Sequence, residues 1–144
     1  MEEVRPVSSL RVDVLAYEAP CEQCSFSLWW VFGLLPSYRP RGEEFTTTDF
    51  PEAVGMARCI LAAPGGDTAD VAAQLHGRPA WQRGRSFNPN RCGACGHHAD
   101  WHVFDGILNR ACHGGWIHAA AGRVPVLEWR AVRGRGQGIY WPYC

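Results

Sequence analysis

The chain has 144 residues, 47% of them apolar, which is enough for one packed domain and excludes wholesale disorder. Its 14 basic and 14 acidic residues balance, and every basic residue is arginine, so Schiff-base chemistry and the lysine-bearing phosphate loop are excluded. The longest apolar run, residues 26–35, is interrupted by Ser27 and Gly33 and falls short of the roughly 20 residues a membrane-spanning helix needs; with an acidic start and no secretory signal, a cytoplasmic protein with reduced thiols is expected.

Residues 10–17 open with Leu10, Val12 and Val14 in alternation, the pattern of a strand. Cys21-Glu22-Gln23-Cys24 follows Pro20, and residues 26–32 are rich in aromatic and β-favouring side chains. The expectation is a hairpin with the first cysteine pair at its tip. Residues 36–44 read as an exposed loop.

Two helices are predicted over about residues 49–78. Asp49 and Glu52 have the spacing of a capping box, and Ala53, Met56, Ala57, Ile60 and Leu61 recur on one helical face until Pro64-Gly65-Gly66. Cys59 is read as a small core residue of this helix. Asp67 caps a second helix running to His76. Residues 80–91 are polar and basic and lead into Cys92-Gly93-Ala94-Cys95-Gly96, read as a second hairpin tip. Strands are expected at residues 101–108 and 124–132, with Pro125 arguing for an edge. Residues 133–138 are flexible by composition, and the aromatic end docks on the body.

The four cysteines of the two Cys-x-x-Cys pairs carry the most information. Cys21, Cys24, Cys92 and Cys95 supply four thiolates, the donor set of a tetrahedral structural zinc. Glycine after the second cysteine suits a position that often takes positive φ; Gly96 fits and Ser25 fits less well. The 67 residues between the pairs exceed the spacing of roughly 15–20 usual in compact sites, so the helices must be an insertion between two halves of one site. Redox-active dithiols are the alternative, but such a pair usually opens a helix after a strand.

The stretch Asn90-Arg91-Cys92-Gly93-Ala94-Cys95-Gly96, followed by Ala99-Asp100-Trp101, resembles bacterial and phage zinc-ribbon proteins. In these an aromatic-rich strand follows the first pair, and an Asn-x-Cys-x-x-Cys-Gly element arrives later. Ala99 and Ser25 depart from that pattern. The resemblance spans residues 10–35 and 88–108 and implies a ribbon, while ribbons serve many unrelated tasks. The expected fold is therefore α+β: one domain over residues 1–144, with zinc-ribbon hairpins and a two-helix insertion between the knuckles.

Five histidines crowd into residues 97–118 with Cys112 among them: His97, His98, His102, His113 and His118. They would make a second metal site, and hence a small metalloenzyme, if the fold gathered them. No His-Glu-x-x-His helix or deaminase element is present, so the plainer reading is of knuckle-turn, strand and glycine-turn residues. Cys112-His113 as nucleophile and base lacks an orienting third group.

Charge is unevenly placed: residues 1–60 hold nine acids and five arginines, and residues 78–144 three acids and nine arginines. An arginine-rich second half suits phosphate pairing, and tryptophan suits base stacking or a protein hot spot. Arg83, Arg85, Arg91, Arg130, Arg133 and Arg135 with Trp81 and Trp141 are the candidate binding residues. The expected role is a non-catalytic module whose partner is nucleic acid, the alternative being a protein–protein adaptor. The arginines could instead neutralise the thiolates and the acidic first half, and arginine usage could follow from a GC-rich genome.

Overall fold

The computed structural model of the chain describes residues 8–38, 45–48, 50–77, 87–135 and 139–140. Among them the elements run β1 (Ser9–Pro20), β2 (Ser27–Pro36), β3 (Phe45–Thr47), α1 (Pro51–Ala62), α2 (Gly66–Ala73), α3 (Trp101–Cys112), β4 (Trp116–Pro125), α4 (Val126–Arg135) and β5 (Ile139–Tyr140). The strands form one antiparallel sheet in the order β4-β1-β2-β3-β5, so the fold is α+β.

The period-2 alternation of β1 and β2 divides their side chains between two cores. Val12, Val14, Ala16 and Val31 face α1, α2 and α4, whose Ala57, Leu61, Val71 and Trp129 complete the first core. Leu15, Leu28, Trp30 and Phe32 face α3 and pack on its Phe104, Ile107, Leu108 and Ala111. Because both faces are covered, β2 reads as a near-continuous apolar run. The register of β1 slips by one residue near Leu15 against both neighbours, and such bulges bend a strand and increase its twist. Beyond this bend Gly33 leaves room for the Phe45 ring: a Cβ there would lie 2.6 Å from it. Phe45 in turn meets Phe32 and Trp116 edge-on, with ring centroids 5.4 and 5.8 Å away.

Several expectations change. Residues 101–108 belong to a helix, not a strand. Asp100 caps it by accepting from the His102 and Val103 amides, and Phe104, Ile107, Leu108 and Ala111 recur at helical spacing. Of residues 124–132 only Val124 and Pro125 are strand: β4 ends at Pro125, and α4 begins at the next residue. β4 was missed because its Ala119-Ala120-Ala121-Gly122 centre lacks β-branched residues; its pairing along β1 from Ser9↔Pro125 to Tyr17↔Trp116 makes it a strand. α1 starts at Pro51 with Phe50 at its cap position and no side-chain cap bond, while Asp49 lies outside the described residues. α2 stops at Ala73, short of His76. Cys59 is exposed on α1 and not a core residue, since the inward stripe is Ala53, Val54, Ala57, Ile60 and Leu61. Arg133 and Arg135 fall within α4, and residues 136–138 lie outside the described set. Among the described residues no helix is long and apolar enough to cross a membrane.

Candidate metal centre

The first knuckle is the tip of the β1–β2 hairpin, as its sequence position implies. The second is not a hairpin tip: it lies in the connection between α2 and α3, so α1 and α2 fall between the two pairs in the chain. What brings it to β2 is a buried pair of asparagines. The Asn90 side chain behaves as a surrogate strand: Oδ1 accepts from the Val31 amide at 2.8 Å and Nδ2 donates to the Val31 carbonyl at 3.0 Å. Asn88 holds Asn90 in turn, accepting from its amide at 2.9 Å, and its own Nδ2 donates to the carbonyls of Asn90 and Ala99. Both side chains are fully buried, so these bonds satisfy groups that would be costly to leave unpaired. Leu75 bridges to Asn90, and the Arg91 amide donates to the Gln74 carbonyl, fastening the loop to the end of α2.

The two knuckles repeat each other bond for bond. The Cys21 amide donates to the Phe26 carbonyl at 2.8 Å and the Ser25 amide to the Cys21 carbonyl at 3.0 Å; Cys92 to His97 and Gly96 to Cys92 match at 3.0 and 2.9 Å. Gly96 has φ of 76° and Ser25 has φ of 65°, so the serine holds a backbone conformation that favours glycine. Each sulfur is met by the backbone N–H two residues on: Gln23 at Cys21, Phe26 at Cys24, Ala94 at Cys92 and His97 at Cys95. In both pairs the first cysteine is buried and the second exposed.

The sulfurs of the two knuckles meet. Cys21 Sγ lies 3.8 Å from Cys95 Sγ, Cys24 Sγ lies 3.6 Å from Cys92 Sγ, and all four fall within 4.8 Å of one another. A regular tetrahedron with metal–sulfur bonds of about 2.3 Å has edges of about 3.8 Å. The four cysteines therefore lie close enough to hold one metal ion.

Electrostatics favours a cation there. Burial pushes the Cys92 thiol up, but the Cys95 and Ala94 amides and the neighbouring sulfurs outweigh it and hold the group at about 7. At Cys95 the His97 amide pulls down, yet burial and the other three sulfurs push it up to about 12. Cys24 is also raised: burial and the Cys92 and Cys21 sulfurs outweigh the Phe26 amide. Cys92 gives up its proton readily while Cys24 and Cys95 hold theirs, and a metal ion supplies the positive charge that four thiolates lack.

The histidines do not gather. His97 Nε2 lies 2.7 Å from Glu22 Oε1, linking one knuckle to the other. His98 bonds the Asn88 carbonyl, His113 the Asn109 carbonyl, and His118 Nδ1 the Asp13 carboxylate at 2.7 Å. His102 is exposed in the first turn of α3. Cys112 is disulfide-bonded, against the expectation of reduced thiols throughout. Among the described residues Cys21, Cys24, Cys92 and Cys95 alone form a group able to hold a metal.

The candidate binding residues are separated. Arg91 is exposed beside the second knuckle, whereas Arg130 and Arg133 lie on α4, at the other end of the sheet. Arg135 ends α4, and Trp81, Arg83, Arg85 and Trp141 lie outside the described residues. Sequence reasoning missed Asn88, although Asn90 was already part of the Asn-x-Cys-x-x-Cys-Gly element.

No protein-family model, curated protein or solved structure matches the chain.

Proposed function

We propose that the protein is a non-catalytic binding module built on a split zinc ribbon, with one structural zinc and single-stranded nucleic acid as its partner. The observation that carries the scaffold role is the closed set of four cysteine sulfurs, each already met by a backbone N–H. Four thiolates fill a tetrahedral zinc and leave no position for substrate, which is the arrangement of a structural site. Zinc fits this donor set better than magnesium or calcium, which take oxygen ligands.

The basic second half supports the choice of partner. Arg91, Arg110, Arg123 and Arg130 are exposed and form no salt bridge with a carboxylate among the described residues. Exposed guanidinium groups are suited to phosphates, which they grip in bidentate fashion.

The test is a metal count on purified protein followed by an oligonucleotide titration at several salt concentrations. One zinc per chain and an affinity that falls steeply with salt are expected. Two zincs per chain would revive a catalytic centre. Absence of binding at low salt would replace nucleic acid by a protein partner on the same surface.

A further inference from the structure

The end of the sheet opposite the metal centre carries a groove of about 620 Å³, where β1 begins, β2 and β4 end and α4 starts. Its floor is Trp129, which is buried, and its walls include Arg11, Arg123, Arg130, Arg133 and Tyr38. Val126, Trp129, Arg130 and Arg133 recur at helical spacing, so one face of α4 is turned to the groove. The opposite face, with Glu128, Ala131 and Val132, turns to α1. Among the described residues, those lining the groove include no carboxylate.

Two details prepare this groove for an anion. Arg123 is held by a neutral partner: Nε donates to Ser9 Oγ and Nη2 to the Ser9 carbonyl, both at 3.0 Å. Its orientation is fixed while its charge stays uncompensated. Arg11 is oriented by Asp13, with Nε 3.0 Å from the carboxylate, and remains 60% exposed. Beside these cations Tyr38 is 74% exposed, an aromatic ring on the surface. Guanidinium groups next to an exposed ring are the two components that grip single strands: cations track the phosphates and the ring stacks on a base.

We infer that this groove is where single-stranded nucleic acid is gripped, with the phosphodiester backbone against Arg11, Arg123 and Arg130 and one base stacked on Tyr38. The inference rests on the nucleic-acid reading above and locates it on a surface remote from the metal. It adds Arg11, Tyr38 and Arg123 to the candidate binding residues and leaves Arg91 out.

Fluorescence anisotropy with labelled dT and U 12-mers tests it on the full zinc-loaded chain. Tyr38→Ala should weaken binding by roughly 5- to 100-fold, while Tyr38→Phe should leave it nearly unchanged. Arg130→Ala should weaken binding and reduce the slope of log affinity against log salt by about 0.7. Arg58→Ala, which removes an exposed charge from α1, should leave the affinity within about two-fold, and circular dichroism checks that every variant is folded. If the wild type binds and Tyr38→Ala and Arg130→Ala bind equally well, the groove is wrong and the nucleic-acid reading survives elsewhere on the surface. If the wild type binds neither 12-mer at low salt, the nucleic-acid reading fails and takes the groove with it.

Discussion

The two ends of β1 solve different problems. At the Pro20 end, two loops distant in sequence converge on four sulfurs, and bonds tie the loops together: amides to sulfur, asparagine side chains to the β2 backbone, His97 to Glu22. At the Ser9 end, roughly 35 Å away for a strand of this length, arginines and an exposed tyrosine surround an open groove. Buried, paired polar groups make a rigid scaffold, and cations and a ring exposed around an open groove make a surface with capacity to bind. On the function proposed above, structure lies at one end and recognition at the other.

The largest effect should come from the metal end. Cys92→Ser should lower the melting temperature sharply, because a structural zinc contributes roughly 10–16 kcal/mol in zinc-finger peptides and that energy is folding energy. Cys59→Ser, on the exposed side of α1, should stay within about 0.5 kcal/mol. Thermal denaturation of the two variants distinguishes them, and equal shifts would erase the special standing of the knuckle.

Acid should act at the same end. Metal-bound sulfurs carry no proton, whereas the thiols of the unfolded chain, with ordinary pKa values of about 8.5, do. The unfolded state therefore binds more protons, and the stability that the metal confers is lost as pH falls. Zinc release followed with a chromophoric chelator should rise on acidification, and release independent of pH would argue against thiolate ligands.

Smaller is the effect of the clamp. Asn90→Ala leaves the buried Val31 amide without its acceptor, which should cost about 1–3 kcal/mol. Because Asn90 aligns the second knuckle on β2, zinc affinity should fall as well. Unfolding in denaturant and competition for zinc measure the two effects; a stability loss with unchanged zinc affinity would mean that the knuckle positions itself.

The smallest effect should be a gain. Ser25 occupies the position that Gly96 takes in the other knuckle, with positive φ, and relieving a non-glycine residue there recovers of order 1 kcal/mol. Ser25→Gly should raise the denaturation midpoint slightly, and a lowered midpoint would show that the serine is not strained.

How much of this was readable beforehand differs between the same two ends. The knuckle chemistry was legible because ligand identity and spacing are local, and the alternation of Leu10, Val12 and Val14 announced β1. The groove was not legible, since Arg11 and Tyr38 join Arg123 and Arg130 only after β1 and β4 pair in antiparallel register. α3 was obscured by Trp101, Val103 and Phe104, which favour strands locally, although the Asp100 cap and the Phe104, Ile107, Leu108 and Ala111 period were present. In β4, alanines and a glycine gave no strand signal, and long-range pairing overrode weak propensity.

The claim on which the rest depends is that one metal joins the hairpin to the α2–α3 connection through four sulfurs. X-ray absorption at the zinc edge of the purified protein measures this directly. A single shell of four sulfurs at about 2.3 Å is the expected result. A shell containing nitrogen or oxygen ligands in place of sulfur, or protein purified without metal and unable to take it up, would contradict the account.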